Sequence, residues 1–586
     1  MELLLVALAP DLDPRFERLY GYLHDDISRR RASVGLAIEL ATATPRPGVH
    51  PVRRRLAPSA TLVARGLLLV EDPERPSLTR SLRVPDRIIA HLLGDDAPDP
   101  LIKGLLAEGV ELPSPAAAVM ARGLAGGVRL VYVRELPGAS GRSLASSAFA
   151  LGGRASLALD LSRLGPGDDV DAVAGAAARE AALRGAGLIV GPVEAVLDRG
   201  PAAVRALTEL PCTVALVGGR LFDPSWSRDV PLVLEAPALS VGQRHELWMR
   251  SVGDRPLDAF DPALVTMAFR LGPEHIVRAA RSAVDASIAA GRPMTSDDIA
   301  GGARAQNAAG LERLARRIVP GYRWDDLVLP PLVGVQLGEI TARARHRERV
   351  VGEWGIGRRS GRALGITALF AGDSGTGKTM SAEVVAGDLG VDLYVIDLST
   401  VVDKYIGETE KNLDRIFTEA DRVNGVLLFD EADALFGKRS EVKDARDRYA
   451  NVEVAYLLQR MESFDGIAIL TTNLRANLDE AFTRRIDTIV DFPLPEEGAR
   501  LALWRQHLPP SVPQGPDIDL GFLARRFKLA GGDIRNVCVA AAYLAATTDR
   551  PVSMGDLIRA TEREYRKLGR LMTEAEFGTY YHLVSG

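Results

Sequence analysis

The sequence predicts an α/β fold built on a parallel sheet, with a phosphate-binding loop at one end and a helical cap beyond it. Three observations predict it. Residues 366–379, ITALFAGDSGTGKT, run from a short apolar strand through a Gly-rich turn into the helix-forming stretch MSAEVVAGDL. Unbroken apolar runs at 426–429 (VLLF) and 467–470 (IAIL) have the length and character of strands buried on both faces. Fainter runs in the same order occur earlier, at 130–133 (LVYV), 187–191 (GLIVG) and 213–219 (TVALVGG), so the chain carries a worn copy of its own second half.

With 586 residues the chain is too long for one core; the length prior gives roughly three to five domains. Its 47% hydrophobic and 25% charged residues are ordinary for a globular protein. A net charge of −5 and a pI near 6.0 argue against a general nucleic-acid-coating role. Two cysteines, Cys212 and Cys538, make neither a disulfide framework nor a zinc cluster, and fit a reducing, cytoplasmic setting. No run is long enough to span a bilayer, so no membrane partner is expected. The opening MELLLVALAP starts with an acid and lacks a basic leader, which makes it a core helix rather than a signal peptide. The abrupt helical start leaves room for an N-terminus further upstream.

Residues 1–105 alternate short helices with short extended pieces: LLLVALA and RFERLYGYL, then DISRRRASVGLAIEL with Ser28 as a possible N-cap, then TLVARGLLLV and SLRVPDRIIAHLL. That order suggests a winged-helix-like module. Its runs Arg29–Arg31 and Arg53–Arg55 suit nucleic-acid contact or a solvated helix end and loop. The second is favoured, because acids are plentiful and no aromatics interleave.

Residues 106–300 are the worn copy with its own helical lid. Gly141-Arg142-Ser143 align with Gly377-Lys378-Thr379, so arginine replaces the lysine, and Leu136 replaces Gly372. Pro192 and Val193 fall where the intact copy has Asp430 and Glu431, and Gly219 falls where it has Asn473. Without the acids there is neither a Mg²⁺ anchor nor a base for water, so the expectation is a fold kept and a chemistry lost. An unrelated α/β domain is the alternative. Residues 301–330 connect, 331–495 form the intact core, and 496–586 form a helical lid and C-terminal tail.

In the intact core, Gly372, Asp373, Ser374, Gly375, Thr376, Gly377, Lys378 and Thr379 spell G-x-x-x-x-G-K-T between strand and helix. The glycines let backbone N–H groups turn inward, and the helix presents its positive end to phosphates. Lys378 would reach the β- and γ-phosphates and the Thr379 hydroxyl would sit on Mg²⁺. A chance match in a chain of 56 glycines is opposed by the parts that follow in order. The apolar strand at 426–429 ends in adjacent carboxylates: Asp430 would hold Mg²⁺ and Glu431 would polarise the attacking water. Asn473, after the strand at 467–470, would report which nucleotide is bound. Arg484 and Arg485 suggest guanidinium groups delivered to a neighbour's site, where such fingers are worth about 10³–10⁵ in rate. Arg535, in GGDIRN, would couple the lid to the γ-phosphate, and Val277 takes its place in the worn copy.

These residues, in this order, resemble the AAA+ ATPases, specifically the group of katanin, spastin and the two-ring membrane-protein extractors. The resemblance covers about 320–570 well and 110–290 in outline. It implies a P-loop AAA+ module with ATP and Mg²⁺ as cofactors, a homohexameric ring with sites between subunits, and a pore through which a polypeptide is pulled. Tyr405-Ile406-Gly407, flanked by charge, looks like the family's pore loop, and Lys438–Arg448 is placed like a second one, or like a plain surface loop. The layout, with phrases such as LAPDLDPRFERLYGYLHDD, resembles the ATPases encoded with bacterial contractile injection systems, whose particle components are then candidate partners. The expected function is an ATP-driven protein-remodelling motor. A nucleotide-gated assembly scaffold is the alternative, a DNA-linked ATPase is disfavoured by the acidic pI, and a protease by the lack of an H-E-x-x-H motif.

Overall fold

A computed structural model describes residues 2–41, 53–136, 138–256, 260–307, 311–347, 365–401, 408–421, 423–432, 455–473 and 484–584, with 349, 350, 354 and 356. It falls into two compact units, Met1–Arg244 with Leu271–Glu274, and His245–Arg270 with His275–Gly586.

The first unit opens with helices Glu2–Leu12, Arg15–Leu23 and Val34–Ala41, followed by a two-stranded antiparallel wing of β1 (Leu69–Val70) and β2 (Leu82–Arg83) and the helix Asp86–Leu92. Leu3, Ala7, Leu8, Ala37, Leu68, Leu82, Val84 and Ile88 form the core of this module. Ser28 is not the cap of the third helix. Its amide and hydroxyl both donate to Asp26 in a local turn, and Ser33 caps the helix instead, its Oγ accepting from Leu36 N at 3.1 Å. The arginines 29, 30 and 31 each pair with an acid, Asp26, Glu17 and Asp11 respectively, so this run is spoken for within the module. A buried ion pair ties the module to a helix, Val170–Leu183, packed on the sheet that follows. Arg87 donates from Nε and Nη2 to both oxygens of Glu180 at 2.7 and 3.0 Å.

That sheet contains β3 (Leu106–Ala107), β4 (Leu130–Arg134), β5 (Ser156–Asp160), β6 (Gly187–Gly191), β7 (Val214–Gly218) and β8 (Leu232–Glu235), in the order β3-β5-β6-β7-β4-β8. The second unit's sheet contains β9 (Arg316–Ile318), β10 (Ile366–Gly372), β11 (Asp392–Asp397), β12 (Gly425–Asp430), β13 (Ile467–Thr472) and β14 (Thr488–Phe492), in the order β9-β11-β12-β13-β10-β14. The two orders are the same, and in both only the first edge strand runs antiparallel to its neighbour. Strands such as β6 and β7 are buried at every residue, because helices cover both faces of a parallel sheet.

The repeat extends to the helices. Pro273–Ala290 and Ser296–Arg304 follow the first sheet as Gly531–Ala546 and Met554–Lys567 follow the second. The last helix of each set begins with one device: Arg292 grips Asp298 with two bonds, as Arg550 grips Asp556, and each aspartate also closes a capping box with Thr295 or Ser553. Most of the first set belongs to the second unit, where Arg270 N donates to Asn424 Oδ1 at 2.7 Å and Arg304 Nη1 to Gly390 O at 3.1 Å. The stretch 301–330 also carries β9, which pairs with β11.

Candidate active site

Three adjacent strands, β10, β13 and β12, end on one edge of the second sheet, and the candidate residues leave from those ends. After β10 the chain turns through Gly377, whose left-handed φ of 100° lets the helix Lys378–Asp388 start directly beneath the turn. Lys378 is buried, and its Nζ donates to Gly372 O at 2.6 Å, Asp373 O at 3.0 Å and Asn473 Oδ1 at 2.8 Å. The loop lysine and the residue after β13 are therefore in direct contact. Thr376 Oγ1 closes the turn on Asp373 O at 2.8 Å, Thr379 stands in the helix's first turn, and Asp373, Ser374 and Gly375 are exposed.

Asp430 is the last residue of β12. The Thr471 hydroxyl, from β13, donates to its Oδ1. Glu431 N also donates to Asp430 Oδ1 and to Thr471 Oγ1, both at 3.2 Å. Those bonds hold Glu431 at a left-handed φ of 55°, which costs a non-glycine residue on the order of 1–3 kcal/mol. The two adjacent acids thus diverge: Asp430 is fixed against the sheet and Glu431 is turned out into solvent.

Arg484 and Arg485 lie at the other end of the sheet. Arg485 O accepts from Thr367 Oγ1, near the start of β10, and Asp487 exchanges bonds with Thr367 through both backbone and side chain. Both arginines are exposed, and Arg485 sits 3.6 Å from Glu462. Arg535 is exposed near the start of the helix Gly531–Ala546. Burial, and then the Arg535 cation, hold the nearby His507 imidazole below its ordinary pKa. Tyr405, Ile406, Gly407 and the stretch 438–448 lie outside the described residues.

The lid meets the loop at a place that side-chain chemistry does not announce. Gly532 N donates to Gly375 O at 2.9 Å, and a Cβ on Gly532 would stand 3.1 Å from Gly375 Cα. Leu503 packs behind Gly531, and Gln506 Nε2 donates to Asp326 O at 2.8 Å, tying the first lid helix (Glu497–His507) to the segment before the core. The sequence does contain the signal: two glycines opening a helix beside a Gly-rich loop permit close backbone approach.

Residues 368–494 match the family described as ATPase family associated with various cellular activities (AAA), and residues 1–105 match a winged helix domain, variant. The chain carries an AAA ATPase domain. It is 33% identical to the 26S proteasome subunit RPT4 of Saccharomyces cerevisiae over 211 residues, 34% of this chain and 48% of that protein. It is 33% identical to the proteasome-activating nucleotidase of Aeropyrum pernix over 215 residues, 34% of this chain and 52% of that one. It is 30% identical to the ATP-dependent zinc metalloprotease FtsH 3 of Sphaerobacter thermophilus over 289 residues, 47% and 55% respectively. The chain thus spans about half the length of the curated relatives it matches.

ATP with Mg²⁺ is the ligand pair of an AAA domain, and the residues here fit it. The space beside Gly377, where a Cβ would meet nothing within 4 Å, is open at the start of a helix. Thr379, in the first turn of the helix, and Asp430, at the end of β12, offer side-chain oxygens, and Mg²⁺ commonly takes one or two protein oxygens alongside phosphates and water. Among the described residues no three His, Cys, Asp or Glu side chains cluster as a closed metal cage.

The worn copy differs at each of these points. Placing Leu136 opposite Gly372, the ladder pairs Leu130–Val214 and Ile366–Ile467 set Val214 on the rung of Ile467. The pairs Leu188–Val214 and Val426–Ile467 then put Pro192 and Val193 opposite Asp430 and Glu431. Counting on along β7, Arg220 rather than Gly219 falls opposite Asn473, a one-residue correction that the apolar runs alone do not reveal.

Proposed function

We propose that this chain is an ATP-driven protein-remodelling motor that assembles as a homohexamer and moves a polypeptide through a central pore. One observation carries the proposal: the phosphate loop, Asp430–Glu431 and Asn473 converge at one end of the sheet, while Arg484 and Arg485 stand at the other. From Thr367 to Gly372 is five residues of strand, roughly 16 Å, so neither arginine serves the site of its own chain. A neighbouring copy is the natural recipient, which makes a ring the productive form.

In that site Lys378 would hold the β- and γ-phosphates and Thr379 with Asp430 would hold Mg²⁺, which when bound would offset charge on the phosphates. Glu431 accepts a proton from the attacking water, and Asn473, already bonded to Lys378, places that water. The partner subunit's Arg485 offsets the charge that spreads over the phosphoryl oxygens. The bond from Gly532 N to Gly375 O links the loop to the lid, so a shift of the loop on hydrolysis turns the lid, with Arg535 as a second link. Tyr405, Ile406 and Gly407 supply the grip on the substrate.

Within the AAA+ class, the motif order supports kinship with the katanin, spastin and two-ring extractor group. The layout of winged-helix module, worn copy and intact module supports a cytoplasmic role on components of a contractile injection particle. The acids paired with arginines 29, 30 and 31 speak against a DNA reader.

The test is the ATPase rate against protein concentration for wild type and Arg485→Ala, with mass measured in parallel. Activity rising cooperatively with concentration, a hexamer mass and an inactive Arg485→Ala are expected. A flat specific activity from a monomer, unaffected by Arg485→Ala, would sink the motor and leave the nucleotide-gated scaffold.

A further inference from the structure

The first unit keeps the outline of a phosphate loop but not its vacancy. Where Gly377 faces open space, a Cβ on Gly141 would meet Val217 Cγ1 at 2.8 Å, Val133 Cγ1 at 3.0 Å and Glu135 Cγ at 3.2 Å. Glu135 follows β4 directly, and its Oε1 accepts from Gly141 N at 2.6 Å, at the first turn of the helix Gly141–Leu151. A carboxylate therefore stands at the positive helix end, the place a phosphate would take. A second carboxylate closes the loop from outside. Glu274 Oε1 accepts from Ser140 Oγ at 2.8 Å, while Ser140 Oγ accepts from Ser143 N at 3.0 Å. Glu274 opens the helix that corresponds to Gly531–Ala546, and by count it occupies the place of Gly532. A third, Glu194, takes the amides of Gly219 and Arg220 at 2.8 and 3.0 Å, beside the end of β7.

We propose that Glu135 is a built-in substitute for the phosphate: it fills the anion seat of the first unit, and with Glu274 locking Ser140 it closes that unit to nucleotide. The loss is then more than a missing base and metal ligand. Amides that would bind phosphate are bonded to the chain's own acids, and a polyphosphate entering would find its seat already filled by Glu135. Arg142, at the lysine position, does not open the seat, because the amide next to it is already taken. Each chain therefore binds one nucleotide, at the second unit, and the first is a fixed body.

The test reads amide hydrogen exchange over residues 135–151 in the full chain, with and without millimolar pyrophosphate and Mg²⁺. The readout is local, so binding at the second unit does not enter it. Wild type is expected to show no change there, and Glu135→Ala to show slowed exchange at Gly141–Ser143 when pyrophosphate is added. Glu135→Gln, which keeps the volume and an oxygen acceptor, is expected to stay closed like wild type. Pyrophosphate protection in the wild type, or none in a folded Glu135→Ala, overturns the proposal. If Glu135→Ala exchanges fast throughout 106–244, Glu135→Ser takes its place, and the wild-type arm alone still refutes the proposal if protection is seen.

Discussion

Glu431 is one of the few non-glycine residues held at positive φ among the described residues, and the strain lies where the chemistry is proposed. The backbone turn leaves Glu431 exposed, while Asp430 is bonded to the Thr471 hydroxyl. Glu431→Gln is expected to keep ATP affinity and lose turnover by about 10²-fold or more, the usual share of a general base. Undiminished hydrolysis in that variant would remove Glu431 from the mechanism. The strain itself has a separate readout: Glu431→Gly should be more stable than Glu431→Ala by about 1 kcal/mol, because only glycine adopts this φ freely. Equal denaturation midpoints would show that the turn is not strained. In the first unit, burial, opposed by the bond from Gly141, reinforced by the Glu274 charge and opposed again by the Arg142 cation and amide, pushes the Glu135 carboxyl up to about 7. The folded state then holds a proton that the unfolded chain has already lost above about 4.5. Stability of the first unit should be full at acid pH and fall as pH rises through about 7, the reverse of an ordinary paired carboxylate. Calorimetry between pH 5 and pH 8 reads this directly, and Glu135→Gln should flatten the slope.

At the scale of elements, the lid and the loop meet backbone to backbone at Gly532 and Gly375. Gly532→Ala places a methyl 3.1 Å from Gly375 Cα, and backbone cannot yield as a side-chain tip can. Helix propensity favours alanine by about 1 kcal/mol, so the fold should survive while ATP affinity drops roughly three- to tenfold. Unchanged affinity would mean that the lid position does not matter to the site. This contact also shows where sequence reading reaches and where it stops. The loop, the acid pair and the buried strands were legible because each is a run of residue types fixed by one requirement: glycines for a turn, apolar residues for a buried strand, carboxylates at its end. Arg535 drew attention in the lid because a charge implies a partner, whereas Gly532 acts by having no side chain. The matching Arg292–Asp298 and Arg550–Asp556 grips were present in the sequence as R-P-x-[ST]-x-x-D, but their meaning depends on a bond between residues six apart. Glu135 was invisible for another reason: an acid after a strand says nothing until an amide is seen bonded to it.

At the scale of the molecule, the arginines decide whether the chain works alone. Arg485 is anchored to the start of β10 through Thr367, and Lys378 works at the far end of the same strand. A rigid strand separates them, so no side-chain rearrangement within one copy joins the two. Two defective forms should therefore repair each other. Lys378→Ala lacks a working phosphate loop but presents an intact Arg485, while Arg485→Ala has an intact site and no Arg485 to give. Each alone should be inactive. Mixed and allowed to assemble, a Lys378→Ala copy placed on the correct side of an Arg485→Ala copy completes one site, and ATPase activity should reappear as a fraction set by the mixing ratio, peaking at intermediate ratios. A mixture as inactive as its parts, in assemblies shown by mass to contain both forms, would mean that the arginines do not act across a subunit boundary. Activity surviving in Arg485→Ala by itself would mean that no second copy is needed for hydrolysis, and the ring would lose its chemical reason to form.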